Sequence, residues 1–124
     1  MGVDLKINRE QVQAKVPITV FHLSGWLDAQ SEKQLVDTIQ KASDEGAKFV
    51  LLELGGLDMI TSSGIRAMQK AHQILTANEP AYQVPRLKIS GAPPQVYHVL
   101  GITGFLINVP MYETLQDAID SFDQ

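Results

Sequence analysis

Two adjacent hydroxyls, on Ser62 and Ser63, are the first groups in this sequence that could do chemistry. They sit in "LDMITSSGIRAMQKAHQIL", residues 57–75, where an apolar strand stops and a helix starts. Two readings stand. A Ser or Thr at a helix start is a favoured N-cap, worth about 0.5–2 kcal/mol over Ala. A hydroxyl there is also an address for another protein to modify. A helix N-terminus carries unpaired N–H groups and partial positive charge, so a phosphate placed on it is stabilised. A phosphoserine adds about −1.5 to −2 charges and can leave such a helix intact. Capping accounts for one hydroxyl. It does not account for two, nor for Gly64, since glycine costs about 1 kcal/mol against Ala in a helix. That cost is tolerable where something must approach the backbone closely. Neither serine has Glu or Gln three residues on, so no capping box explains the pair.

Nucleophilic catalysis is the rival use of a serine. The G-x-S-x-G elbow is missing. His72 lies on the same predicted helix, about ten residues from Ser62 or roughly 15 Å along the axis, too far to serve as its base. His22 falls in a strand and His98 in another helix; each reads as an ordinary interior or surface histidine. The three show no metal-ligand spacing, and no metal or other cofactor is expected. No Gly-rich phosphate loop is present, which argues against a nucleotide-binding module.

The elements that must position the pair follow from periodicity. "VDLKIN" (3–8) alternates apolar and polar residues as a half-buried edge strand. It leads through "REQVQAK" (9–15) to "VPITVFHLSG" (16–25), a β-branched strand. In "WLDAQSEKQLVDTIQKASDEG", residues 35, 36, 39 and 42 recur at helical spacing and Gly46 is a stop. Asp28 opens this helix and reads as its N-cap. Trp26 precedes it in a loop, as a lid over the core edge or as an interface anchor. "AKFVLLELGG" (47–56) is a near-continuous apolar run, the pattern of a central strand covered on both faces. In the serine helix, Ile65, Met68, Ala71, His72 and Leu75 share one face. "TANEPAYQVP" (76–85) is a loop by composition, with two prolines, and is polar enough to be exposed. "RLKIS" (86–90) is a short strand. "GAPPQVYHVLGITG" (91–104) is a helix with Pro in its first turn and a Gly stop. "FLINVP" (105–110) is a last strand and "MYETLQDAIDSFDQ" (111–124) a helix through Leu115, Ile119 and Phe122. Strands alternating with helices imply an α/β fold with a mixed, mainly parallel sheet of about five strands and about four helices. Functional groups in such folds gather where strand C-termini meet helix N-termini, and the serines lie at such a place.

Bulk properties narrow the class. The 124 residues suit one domain, 1–124, large enough to need no staples. With no cysteine, disulfides, thiolate zinc and thiol catalysis are excluded. A net charge of −4 without a basic cluster disfavours nucleic acid as a partner. Runs such as "FVLLEL" are far shorter than the ~20 residues of a membrane span. The N-terminus has no apolar h-region, and the Met-Gly opening is no myristoylation signal because Lys6 stands where that signal needs Ser or Thr.

The stretch "LLELGGLDMITSSGIRAM" resembles the signature of the STAS domain of bacterial anti-sigma factor antagonists. Leu57, Asp58, Met59, Ile60, Ser62, Ser63, Gly64 and Ile65 fit the family pattern of Leu-Asp, an apolar pair, Asp-Ser-Ser-Gly and an apolar residue. "VFHLSGWLDAQSEKQL", "GAPPQVYHVLGITGF" and "INVPMYETLQDAI" are similar to further family segments, in order, over nearly the whole chain. The resemblance implies a non-enzymatic, cytoplasmic antagonist, monomeric or a weak dimer. It implies a partner that is both anti-sigma factor and serine kinase, phosphorylation of Ser62 that abolishes binding, and a PP2C-like phosphatase that restores it. Asp28, Thr61, Ser63, Gly64 and Arg66 fall on the implied partner face. Arg66, four residues after Ser62, can approach a phosphate there. Ser63 is expected to be occupied by capping. Thr61 stands where the family has Asp, and is a second possible acceptor. That departure raises the runner-up reading of an unphosphorylated STAS scaffold, as in a stressosome or a lipid-transport ATPase accessory subunit.

Overall fold

A computed structural model describes residues 3–77 and 85–122. Its elements are β1 (Lys6–Gln13), β2 (Pro17–Leu27), α1 (Glu32–Asp44), β3 (Phe49–Ile60), α2 (Ser62–Thr76), β4 (Leu87–Ser90), α3 (Pro94–Ile102), a 3₁₀ turn (Phe105–Ile107), β5 (Met111–Tyr112) and α4 (Leu115–Ser121). The five strands lie in chain order. β1 runs antiparallel to β2, and β2 to β5 are parallel. The expected mixed, mainly parallel sheet is therefore present.

Alternation along the strands builds two cores. Phe21, Leu23, Val50, Leu52, Leu54, Leu87 and Ile89 pack under the helices α1, α2 and α3. Ile18, Val20 and Leu51 point the other way and meet Ala118 and Phe122 beside the short α4. This explains the unbroken apolar run of β3: a central parallel strand must satisfy both layers. On the α4 side Lys88 is buried, donates to Ser121 Oγ at 2.8 Å and lies 4.2 Å from the centre of the Phe122 ring. A desolvated ammonium is tolerated against an aromatic face.

Several boundaries differ from the sequence expectation. β1 begins at Lys6 and takes in most of the expected connection 9–15, because eight residues find register partners on β2, from Lys6–Ser24 to Gln13–Pro17. Long-range pairing there outweighs the polar composition of the segment. Trp26 lies within β2 rather than in a loop. α1 starts at Glu32, with Ser31 at its N-cap position, not at Asp28. Residues 105–107 form a 3₁₀ turn, and the last strand is only Met111–Tyr112. α4 consequently starts later than expected, capped by Thr114, whose Oγ1 accepts from Asp117 N–H at 3.1 Å. Most of the expected loop 76–85 lies outside the described residues.

Two glycines allow close packing around the upper ends of β2 and β3. Gly25 has φ +91°, and a Cβ there would stand 2.2 Å from the Asp4 carbonyl oxygen. It lies amid two register shifts between β2 and β3. Gly64 is buried in the first turn of α2, where a Cβ would stand 2.4 Å from the Leu27 carbonyl oxygen and 2.8 Å from Ile60 Cγ1. The close neighbour that requires glycine is the protein's own β2. α2 is also tied to α1 by charge: Glu32 accepts from Arg66 Nε at 3.0 Å, Arg66 Nη2 at 3.2 Å and Lys70 Nζ at 3.1 Å.

Two outcomes are expected. Gly64→Ala destabilises the domain by at least the ~1–3 kcal/mol of an overpacked core, since the obstacle is backbone; a chemical-denaturation midpoint unchanged from wild type would refute this. The hydrogen bonds from Arg66, then Lys70, pull the Glu32 carboxyl from its ordinary 4.5 to about 2. A lowered folded-state value means that the contribution is complete above about pH 4.5 and is lost as pH falls through about 2. The gap in melting temperature between wild type and Glu32→Gln should therefore narrow over that acid range, and a gap independent of pH would count against it.

Candidate functional site

β3 ends at Ile60, Thr61 makes the corner, and Ser62 is the first residue of α2. Thr61, not either serine, is the N-cap. Its backbone is extended (φ −109°, ψ 177°) and its Oγ1 accepts from Gly64 N–H at 3.4 Å. Its own N–H donates to the Leu27 carbonyl at 3.1 Å, and its carbonyl accepts from Ile65 N–H at 2.9 Å. Thr is among the residues that favour this position, as is the Asp expected from the resemblance. The exchange thus leaves the helix start capped. The expectation that Ser63 does the capping is corrected: its Oγ instead accepts from Arg66 Nη2 at 3.2 Å.

That leaves Ser62. Its side chain is exposed, and among the described residues nothing hydrogen-bonds its hydroxyl. It borders an open groove of about 380 Å³ lined by Trp26, Asp28, Met59, Thr61, Ser62 and Ser63, with Ala29 and Gln30 at the rim. Trp26 and Met59 are register partners on β2 and β3, so their half-buried side chains form one apolar wall. Asp28 shapes the other side. Its Oδ1 accepts from the N–H groups of Gln30 (3.1 Å) and Ser31 (3.2 Å), building the turn that precedes α1. The buried Ser31 hydroxyl locks that turn to the Trp26 carbonyl at 3.0 Å.

The structure brings Asp28, Thr61, Ser62 and Ser63 to one groove. Gly64 is buried behind it and acts by seating α2 rather than by facing outward. Arg66 lies one turn along α2, turned toward Glu32 of α1. Glu32 and Lys70 were missed from the sequence because Glu32 meets Arg66 and Lys70 across 34 and 38 residues. The one available signal was that Lys70 follows Arg66 by one helical turn.

No histidine lines the groove. His72 faces a separate cleft beside the 3₁₀ turn, and burial pushes its imidazole below the ordinary range. His22 bridges Glu10 at 2.7 Å and Glu53 at 3.2 Å. The bond to Glu10, then that to Glu53, hold it above the ordinary range despite partial burial. His98 is exposed on α3. Among the described residues, no group of three or more His, Asp or Glu is arranged to hold a metal, and no helix is long and apolar enough to cross a membrane.

Comparison with known proteins gives the same outline. The STAS domain family model matches residues 9–118. BtrV of Bordetella bronchiseptica, provisionally named an anti-sigma factor antagonist, is 29% identical over 100 residues, spanning 81% of this chain and 82% of BtrV. The structure of an anti-sigma factor antagonist from Mycobacterium paratuberculosis superposes with a TM-score of 0.80 at 16% identity, covering 98% of this chain and 96% of that one. The anti-sigma factor antagonist SpoIIAA in its unphosphorylated form gives 0.76 at 24% identity, covering 95% and 96%. Bacillus SpoIIAA in its phosphorylated form gives 0.69 at 23%, covering 94% and 99%. The structural likenesses speak to the fold. The family pattern runs from β1 into α4, and the strand–corner–helix junction with its serine pair stands inside it. This chain belongs to the STAS domain family.

Proposed function

We propose that this protein is an anti-sigma factor antagonist, switched off by phosphorylation of Ser62. The observation that carries this is an exposed hydroxyl with no hydrogen-bond partner among the described residues, on the first residue of α2, while Thr61 supplies the cap. Among the described residues no hydrogen bond holds the hydroxyl in place. The relatives add support: BtrV is named as an antagonist, and SpoIIAA occurs in unphosphorylated and phosphorylated forms.

The partner is an anti-sigma factor that is also a serine kinase, and a PP2C-like phosphatase reverses the modification, all in the cytoplasm. The chain itself catalyses nothing and works as a monomer or weak dimer. In the unmodified state the apolar wall of Trp26 and Met59 gives the partner a surface to bury beside Ser62. This favours the interface-anchor reading of Trp26, since aromatic side chains set in pockets carry much of an interface's energy. A phosphate on Ser62 puts a dianion on that surface. Docking would then require desolvating it, which opposes association. The isolated fold tolerates the same charge, because the helix end favours anions. Thr61 is the poorer acceptor, since its hydroxyl is engaged in capping.

Ser62→Asp is expected to weaken binding to the anti-sigma factor at least tenfold, about 1.4 kcal/mol, with little change in melting temperature. Ser62→Ala should bind like wild type and resist modification. Titration of both variants, with mass spectrometry after incubation with the kinase and ATP, tests this. Phosphate only on Ser63 or Thr61 would overturn the residue assignment. No phosphorylation, with binding indifferent to Ser62→Asp, would favour the scaffold alternative.

A further inference from the structure

The groove beside Ser62 has two lips, the start of α1 and the start of α2. One ionic cluster joins them. Glu32 is the first residue of α1, directly after the Asp28–Ser31 turn. Its carboxylate, 17% exposed, receives two bonds from Arg66 and one from Lys70. The cations are the exposed members, at 56% for Arg66 and 50% for Lys70. Arg66 also reaches Ser63 Oγ, so its guanidinium already stands over the first turn of α2. Ser62 is four residues before it, the spacing at which helical side chains meet.

We propose that Glu32 and Arg66 form an exchangeable latch that responds to phosphate on Ser62. In the unmodified protein the guanidinium holds Glu32 and so clamps the two lips. When Ser62 carries a phosphate, the guanidinium leaves Glu32 for the phosphate, and Lys70 remains as the carboxylate's partner. The inference rests on the reading of Ser62 as the modified residue. Three physical points support the exchange. A phosphate of about −1.5 to −2 charges with three acceptor oxygens outcompetes one carboxylate for a guanidinium. Arginine's planar fork matches phosphate geometry in bidentate fashion. Lys70 spares Glu32 from standing unpaired, the step that would otherwise oppose release. The result is a modification felt on α1 as well as at the serine, since the clamp falls from two cations to one.

The test uses the full chain with phosphoserine installed genetically at position 62, so that no kinase is involved. Phosphorus NMR follows the second ionisation of the phosphate, ordinarily near pKa ~6. Arg66→Met should raise the phosphate's proton affinity about threefold or more, and Arg66→Lys should fall between it and wild type. Glu32→Gln should lower that affinity in the Arg66 background but not in the Arg66→Met background. Above about pH 7, where the phosphate is dianionic, carbon NMR of the Glu32 carboxyl should show a shift change on phosphorylation of Ser62 that is lost in Arg66→Met. Identical phosphate titrations in wild type and Arg66→Met would overturn the latch. So would a Glu32→Gln effect that persists without Arg66, which is simple charge removal. Melting curves of the exposed-site variants confirm folding. A kinase that ignores Ser62 would defeat the proposed function and leave these titrations unchanged; a flat titration would defeat the latch alone.

Discussion

The Leu27 carbonyl is the point on which the functional end of this molecule turns. It ends β2, accepts the Thr61 N–H at 3.1 Å, and lies so near the first turn of α2 that a Cβ on Gly64 would come within 2.4 Å of it. β2, β3 and α2 are thereby locked at one junction. A larger residue at 64 would lift the helix start away from the sheet. The Thr61 cap and the exposure of Ser62 both depend on that seat. So does the groove, since Trp26 and Met59 belong to the two strands that meet there.

Charge is then laid over a junction already set by packing. The α1–α2 pair packs through apolar faces, Leu35, Ile39 and Ala42 on one helix and Ile65, Met68 and Ala71 on the other. Glu32, Arg66 and Lys70 sit at the rim of that contact, in reach of water. Rim ion pairs add little to stability and are easily rearranged. That is a poor property for holding a fold and a useful one for a site that must register a new charge. The buried Gly64 supplies rigidity, and the exposed cations supply response.

The departure at position 61 shows how one residue serves two accounts. From the motif alone, Thr in place of Asp looks like lost chemistry beside the acceptor. In the structure the position is an N-cap, where Thr and Asp do the same work for the helix. Thr leaves the position uncharged beside Ser62 and still caps the helix.

The sequence by itself determined the order of elements, the single α/β domain and the place of the serine pair at a strand–helix junction. These are legible because alternation and helical periodicity are local properties, and because "LDMITSSG" is a contiguous motif. It also marked Gly64 as costly in a helix unless something approaches the backbone there, without saying whether anything does. Only the tertiary structure decided the rest. β1 extends through a polar stretch because β2 supplies its hydrogen bonds. The expected strand at 105–110 became a 3₁₀ turn, with pairing to β4 deferred to Met111–Tyr112. Thr61 rather than Ser63 took the cap, since both types suit that role and the choice falls to whichever residue the Leu27 carbonyl holds at the corner. Arg66 turned to Glu32, a partner 34 residues away on another helix. Contacts between elements leave no periodic trace in a chain, and the chemistry of this junction is made of such contacts.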